Sequence, residues 1–221
     1  MKYDGLIFDF DGVLLESEYA GNAQIAHYLS ARGHPTSPEE SMTHFMGLSG
    51  PDFLAAIETW IGRPLPGDFH EARQEEDARV LAEGLEAVAG AVAFIEALPP
   101  ELPRAIASSS SSAWIRRHLG HLGIAHHFGE LVFSGAEHVG RGKPAPDLYL
   151  HAAEAMGVPI ERVAIIEDSP VGVAGALASG ATVIGLCAGS HCLPGHDQRL
   201  RALGVAHVAS SFDEVAVLLG L

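Results

Sequence analysis

The chain has 221 residues, 48% of them hydrophobic, which is enough for one large domain or two smaller packed ones. Its formal net charge of −15, from 28 acidic against 13 basic residues, argues against nucleic-acid binding, because a phosphate backbone requires a basic surface. No apolar run is long enough to span a bilayer and no secretory signal pattern opens the chain, so we expect a cytoplasmic protein with no membrane partner.

The amino-terminal apolar run from Leu6 to Leu14 contains two aspartates two residues apart, Asp9 and Asp11. Its composition, closed by Gly12, predicts a buried strand of a parallel sheet. Side chains alternate along a strand, so both carboxylates are expected on one side, near its carboxyl end. Two buried carboxylates repel each other unless a cation is bound, so the pair predicts a divalent metal site.

Residues 16–84 have helical patterns and contain no convincing strand. Glycine and proline clusters divide this block into predicted helices near residues 16–33, 38–45, 51–61 and 68–82. The first strand precedes the block and the other strands follow it. We therefore predict that residues 16–84 form a helical cap, inserted into a core made of residues 1–15 and 85–221.

Strands and helices alternate after the block, with short connections. Strands are predicted at residues 104–108, 131–133, 163–168 and 182–186, and a further short strand near the end. Helices are predicted at residues 91–98, 113–122, 147–156 and 170–178, and a loop at residues 135–146. The alternation predicts an α/β fold, a doubly wound Rossmann-like parallel sheet with its ligand site beyond the carboxyl ends of the strands.

Four groups of polar residues fall at these strand ends or in the adjacent loops. They are Asp9 with Asp11, Ser108, Lys143, and Glu167 with Asp168. Each has a simpler explanation by itself, since Asp-x-Asp pairs arise by chance and serine or aspartate before a helix is a typical cap. Lys143 is more specific, because the chain has only one other lysine, Lys2. Strand ends of a parallel sheet lie together, so the four groups predict one site.

The order and residue types of these groups resemble the four motifs of the haloacid dehalogenase-like hydrolase superfamily, over nearly the whole chain. A helical insertion directly after the first motif is similar to the subgroup that contains β-phosphoglucomutase and phosphoglycolate phosphatase. The resemblance implies that Asp9 is a nucleophile forming an aspartyl-phosphate and that Asp11 is the general acid and base. It implies that Ser108 hydrogen-bonds a phosphoryl oxygen and that Lys143 neutralises charge there. The implied cofactor is Mg²⁺, held by Asp9, the main-chain carbonyl of Asp11, Asp168 and Glu167.

Two features of the sequence argue against other activities of this superfamily. Dehalogenases of this superfamily lack an acid equivalent to Asp11, and phosphonatases need a cap lysine, which residues 16–84 do not contain. We therefore expect a Mg²⁺-dependent phosphatase, a monomer or homodimer, that acts on a small phosphate monoester such as a sugar or sugar-acid phosphate. A catalytically silent binding protein on the same scaffold is the third possibility, and the intact motifs argue against it.

A β-phosphoglucomutase-like mutase is the main alternative. Residues 45–49 and 108–110 resemble the cap segment and the phosphate loop of that enzyme. Its cap segment continues into an arginine that holds the second phosphate, whereas Gly50 and Pro51 follow Ser49 here, which favours the phosphatase. The other cap arginines that could replace this group are Arg32, Arg63, Arg73 and Arg79.

The two cysteines, Cys187 and Cys192, are too few for a disulfide framework, and we interpret them as free thiols in a reducing cytosol. Thirteen histidines are present, including His191 and His196 on either side of Cys192. The spacings match no common zinc signature, and histidines on helix surfaces and loops usually bind no metal. The sequence therefore predicts no zinc site.

Overall fold

The computed structural model describes residues 2–46, 48 and 50–221. The chain divides into two compact units, one formed by Met1–Glu16 with Glu86–Leu221 and the other by Ser17–Leu85. These boundaries lie one residue away from the predicted core and cap segments, and the assignment of the second unit as a cap stays a prediction. Within the described residues, no helix is both long and apolar enough to cross a membrane.

A parallel sheet, six-stranded among the described residues, organises the first unit. Its strands are β1 (Gly5–Phe8), β2 (Arg104–Ser108), β3 (Val132–Ser134), β4 (Val163–Glu167), β5 (Thr182–Leu186) and β6 (His207–Ala209). The strand order is β3-β2-β1-β4-β5-β6, and Phe8 of β1 pairs with Ile106 of β2 and Ile166 of β4. The winding direction reverses beside β1, where a doubly wound sheet forms its ligand crevice. The predicted α/β, Rossmann-like fold is confirmed.

The second unit is helical and has its own core. Its helices are α1 (Ser17–Ser30), α2 (Pro38–Phe45), α3 (Gly50–Ile61) and α4 (Phe69–Glu83). Apolar residues from all four helices pack together in this core: Ile25, Leu29, Phe45, Ile57 and Phe69. α2 begins with a capping box, in which Ser37 and Glu40 each accept the other's main-chain N–H.

Helices lie on both faces of the sheet in the first unit. They are α5 (Ala91–Ala97), α6 (Ser112–His121), α7 (Gly135–His138), α8 (Asp147–Met156), α9 (Pro170–Ser179), α10 (His196–Ala202) and α11 (Phe212–Leu219). Ile7 of β1 belongs to the cluster that includes Tyr149 of α8 and Val173 of α9. Phe8, on the opposite side of the same strand, packs edge-on against Phe94 of α5. Burial on both faces explains why the strands are almost entirely apolar.

Two local predictions were wrong. β1 ends at Phe8, not at Leu14, because the chain turns directly after the strand. Gly12 has a φ of 80°, a conformation that favours glycine, and its N–H donates to the carbonyl of Leu15. The predicted loop at residues 135–146 begins instead with the short helix α7, where Nδ1 of His138 accepts the N–H of Ser134 and closes the turn.

Candidate active site

The carboxyl ends of β1, β2 and β4 bring most of the predicted site residues together. Asp9 directly follows β1, Ser108 ends β2, and Glu167 ends β4 with Asp168 next to it. All four are buried, with exposed fractions of 7% or less. The N–H of Asp9 donates to the carbonyl of Ile166, so the ladder between β1 and β4 continues to the first carboxylate and places it beside the second pair.

Lys143 reaches these strand ends from the loop between α7 and α8. Its Nζ donates to Asp9 Oδ1 at 2.8 Å and to Glu167 Oε1 at 2.6 Å, and its side chain is 4% exposed. Burial acts to lower the pKa of Lys143, but the charges of Asp9 and Glu167 outweigh it and hold the pKa above its ordinary value. Gly175 of α9 allows this loop to lie close, because a Cβ there would be 2.9 Å from the carbonyl oxygen of Ala145. Lys143 is thus a protonated cation between two carboxylates.

Glu167 has further donors besides the lysine. Its Oε1 accepts the hydroxyl of Tyr149 at 2.7 Å, and its Oε2 accepts the N–H groups of Asp168 at 3.0 Å and Ser169 at 3.1 Å. A Cβ on Gly172 of α9 would lie 1.8 Å from Glu167 Oε1, so only glycine fits beside the carboxylate. Glu167 therefore anchors the lysine, and its predicted contact with a metal stays a prediction.

Three carboxylates form a cluster that fits a cation. Oxygens of Asp9, Glu167 and Asp168 lie within 4.8 Å of one another. Burial, followed by the charge of Glu167, raises the pKa of Asp9 well above its ordinary value, although Lys143 opposes the shift. One lysine does not compensate three buried acids, and oxygen ligands of this type suit Mg²⁺. The donor set therefore fits the divalent metal that the sequence predicts.

The carboxylate of Asp11 is held by the start of α6 and the end of β2. Trp114 Nε1–H donates to Oδ1 at 3.1 Å, and the hydroxyls of Ser110 and Ser108 donate to Oδ2 at 2.6 and 3.2 Å. The predicted bond from Ser108 to a phosphoryl oxygen stays a prediction, since here this hydroxyl contacts Asp11. Trp114 is a site residue that the sequence did not indicate, because an aromatic side chain in a helix normally indicates packing.

Two histidines contact Asp168, one from the loop after β5 and one from the start of α10. His191 Nε2 lies 2.8 Å from Asp168 Oδ2, and His196 Nε2 lies 2.6 Å from the main-chain oxygen of Asp168. Both histidines are buried. A Cβ on Gly12 would lie 2.3 Å from Asp168 Oδ2, so the glycine that turns the chain also leaves room for this carboxylate. No motif marked these histidines as neighbours of the acids.

Comparison with known proteins identifies the family. The family model described as haloacid dehalogenase-like hydrolase matches residues 3–180 of this chain. This range includes all the predicted site residues. The chain belongs to the haloacid dehalogenase-like hydrolase family. The chain is therefore an enzyme of the class that its four motifs predicted.

Several relatives of the chain are named as phosphatases. The chain is 28% identical to 6-phosphogluconate phosphatase of Escherichia coli (strain K12), over 87% of this chain and 86% of the relative. It is 31% identical to hexitol phosphatase A of the same organism, over 83% of each. Among solved structures, a HAD family hydrolase from Deinococcus radiodurans R1 with bound phosphate and sodium has a TM-score of 0.87 and 33% identity, covering 99% of this chain and 96% of that one. These relatives support a phosphatase that acts on small phosphates.

Proposed function

We propose that this hydrolase is a Mg²⁺-dependent phosphatase that cleaves a sugar or sugar-acid phosphate through an aspartyl-phosphate on Asp9. The observation that carries the proposal is Lys143, buried between Asp9 and Glu167 at the carboxyl edge of the sheet. A phosphate ester and a carboxylate nucleophile are both anions, so their approach requires positive charge at this point. The phosphatase relatives support the class of substrate.

In this proposal, Asp9 and Asp11 divide the covalent and the proton-transfer chemistry. A carboxylate oxygen of Asp9 attacks phosphorus, so a new P–O bond forms while the bond to the ester oxygen breaks. Asp11 gives a proton to the leaving alcohol. A water molecule then attacks the phosphorus of the aspartyl-phosphate and gives its proton to Asp11, which releases inorganic phosphate and restores Asp9. Lys143 orients Asp9 and offsets negative charge in both steps.

Asp9, Asp168, Glu167 and the main-chain carbonyl of Asp11 are the groups that would hold Mg²⁺. When bound, this ion supplies positive charge to the phosphoryl oxygens. The support from the structure is the cluster of three buried carboxylates, two of which contact Lys143. His191 and His196 position Asp168 through its carboxylate and its main chain, respectively.

Asp9→Asn tests the nucleophile, because the amide has nearly the same shape and cannot attack phosphorus. We expect hydrolysis of p-nitrophenyl phosphate in Mg²⁺ to fall below detection, with circular dichroism close to that of the wild type. Asp4→Asn is the matched control: Asp4 is exposed, precedes β1 at its opposite end and pairs with Arg162 at 2.7 Å, so activity should not change. Substantial turnover by Asp9→Asn would exclude Asp9 as the nucleophile. A wild type as inactive as the variant would instead favour the silent binding protein.

Removal of metal tests the cofactor. We expect EDTA to abolish turnover, excess Mg²⁺ to restore it, and Ca²⁺ to inhibit, because Ca²⁺ takes a looser and larger coordination shell. Full activity in EDTA would contradict the metal assignment.

The helical unit bears on the choice between phosphatase and mutase. Its arginines bond within the same unit: Arg32 to Asp68, Arg63 to the carbonyl of Arg32, Arg73 to Gln24, and Arg79 to Glu76 and Glu83. These contacts engage the groups that could replace the mutase's phosphate clamp, which favours the phosphatase. Of the segment that resembles the mutase's cap, Gly47 and Ser49 lie outside the described residues.

A panel of phosphate esters distinguishes the two activities and narrows the substrate. It should include phosphogluconate, hexose phosphates, phosphoglycolate and β-glucose 1-phosphate. We expect release of inorganic phosphate, fastest from a sugar or sugar-acid phosphate. Formation of glucose 6-phosphate from β-glucose 1-phosphate would make the mutase the better assignment.

A further inference from the structure

Three side chains outside the proposed catalytic set converge near the carboxyl end of β5. Cys187 follows β5 directly, Cys192 lies in the loop after it, and His196 is the first residue of α10. The two sulfurs and one ring nitrogen lie within 4.8 Å of one another, and both cysteines are free thiols. Two sulfurs and an imidazole are soft ligands of the kind that bind Zn²⁺, whereas the acidic cluster offers only oxygens.

One ring nitrogen of His196 is engaged by a main-chain carbonyl, as is usual for a histidine that binds a metal. Its Nε2–H donates to the main-chain oxygen of Asp168 at 2.6 Å, and the residue is only 4% exposed. This tautomer leaves the lone pair on Nδ1. Histidines that ligate metals usually donate their other ring N–H to a carbonyl or carboxylate in this way. The contact now made to Nδ1, from the exposed side chain of Arg199, is long at 3.3 Å and can give way to a metal.

A cavity of about 380 Å³ gives an ion access to these ligands. Its walls include Cys187, Cys192 and His196, together with the carboxylates of Asp197 and Glu214. The two acids outnumber the one arginine in the same wall, Arg201, which favours entry of a cation, and the volume leaves room for water beside it. Zinc bound by three protein ligands takes water or a carboxylate as the fourth.

We infer that Cys187, Cys192 and His196 form a second metal site, one that binds Zn²⁺ with water or a carboxylate as the fourth ligand. The spacing of the three residues matches no common zinc signature, and only the turn after β5 brings them together. The site differs in ligand chemistry from the acidic cluster, but the two adjoin. His196 contacts the main chain of Asp168, and His191 Nε2 lies 3.5 Å from Cys192 Sγ and 2.8 Å from Asp168 Oδ2. The Zn²⁺ site depends neither on the proposed phosphatase activity nor on Mg²⁺.

Cobalt titration tests the site, because Co²⁺ takes the place of Zn²⁺ and gives a thiolate-to-metal charge-transfer band that oxygen ligands cannot produce. We expect reduced wild-type protein to develop this band, saturating at one equivalent, and Zn²⁺ to abolish it. Cys187→Ser and Cys192→Ser should each lose the band. Asp9→Asn, which alters the acidic cluster alone, should keep it. No band in the wild type, or an undiminished band in a folded serine variant, would overturn the proposal.

Alkylation of the unmodified chain gives a second test that does not depend on folding of a variant. The chain has two cysteines, so mass spectrometry of the intact protein counts every modified thiol. We expect iodoacetamide to add to both thiols without metal and to neither with one equivalent of Zn²⁺. Equal alkylation with and without Zn²⁺, or conversion of the pair to a disulfide while Zn²⁺ is in excess, would show that these residues do not hold the metal.

Discussion

Trp114 connects α6 to the proposed proton carrier. Its ring nitrogen donates to Asp11, and its ring lies against buried His118 with centroids 4.2 Å apart. We expect Trp114→Phe to lower kcat by about 10-fold or more, because it removes one hydrogen bond to the carboxyl group but keeps most of the ring. Steady-state kinetics over a range of pH would measure the loss together with a changed pH–rate profile.

Trp60→Phe is the control for that substitution. Trp60 Nε1 donates to Thr36 Oγ1 at 3.0 Å within the helical unit, so the variant also loses one indole hydrogen bond but none to Asp11. Its kcat and pH–rate profile should match those of the wild type. Equal losses in the two variants would mean that Trp114 contributes to the fold and does not position Asp11.

The burial of His118 predicts that the stability of the fold depends on pH. His118 is fully buried, and among the residues that the structure describes neither ring nitrogen has a hydrogen-bond partner. Burial lowers its pKa, so between that value and the unfolded pKa near 6.5 the unfolded chain binds more protons than the folded one. Well above about pH 6.5, protonation of His118 therefore does not affect the free energy of unfolding. Below that pH, the free energy of unfolding decreases as the pH drops.

His118→Phe should remove this contribution. We expect its Tm to fall less than that of the wild type between pH 8 and pH 5.5, as measured by thermal denaturation. His121→Phe, an exposed position on the same helix, should keep the wild-type dependence. A pH dependence in His118→Phe as steep as that of the wild type would show that His118 is not the titrating group.

The residues of the site were predictable from the sequence to different extents. Asp9, Ser108 and Glu167 could be placed together because parallel strands end at one edge, and Lys143 because lysine is so rare in the chain. The contact between Asp11 and Trp114 could not be predicted, since Trp114 lies far along the chain and its side chain fits a packing role equally well. His191 and His196 depend on how the loop after β5 folds, which no local pattern specifies.

At the scale of elements, the packing of α9 against Glu167 predicts the effect of a single substitution. Gly172 lies where a Cβ would be 1.8 Å from Glu167 Oε1, so Gly172→Ala must displace either the helix or the carboxylate that anchors Lys143. We expect a lower Tm and a loss of turnover, because overpacking costs about 1–3 kcal/mol and the lysine loses its position. Thermal denaturation and steady-state kinetics would measure the two effects.

Gly120→Ala in α6 is the matched control. No atom of the described part of the chain lies within 4 Å of a Cβ at Gly120, and alanine favours a helix over glycine by about 0.5–1 kcal/mol. The control should raise the Tm slightly and leave activity unchanged. A Gly172→Ala variant as stable and active as Gly120→Ala would mean that the close contact with Glu167 does not exist in solution.

Elements were predicted well wherever a periodic pattern ended at a clear stop. α2, α8, β2 and β5 begin and end at the predicted residues, since proline, glycine or a change in polarity bounds each of them. β1 was predicted too long because the apolar run continues to Leu14. In the structure the strand ends at Phe8 and the chain turns at Gly12. α7 was missed because its single turn is stabilised by a hydrogen bond from the N–H of Ser134 to His138. The glycine-rich sequence around it does not indicate that bond.

For the whole molecule, the net charge of −15 complicates any test of metal binding. An acidic protein gains stability from cations generally, because they screen repulsion between its charges. Specific binding of Mg²⁺ to the acidic cluster adds a separate effect, since a ligand that binds only the folded state contributes about 2.7 kcal/mol at 100 times its Kd. For a chain of this size that corresponds to a rise in Tm of roughly 5–10 °C.

Thermal denaturation in MgCl₂ and in NaCl of equal ionic strength separates the two effects. We expect Mg²⁺ to raise the Tm of the wild type well above the value in NaCl, and EDTA to reverse the difference. Asp168→Asn removes a proposed ligand and should lose the Mg²⁺-specific part, whereas Asp4→Asn, which changes the net charge equally, should keep it. If NaCl and MgCl₂ stabilised the wild type alike, the three buried carboxylates would have no specific affinity for Mg²⁺, and only charge screening would account for the effect of salt.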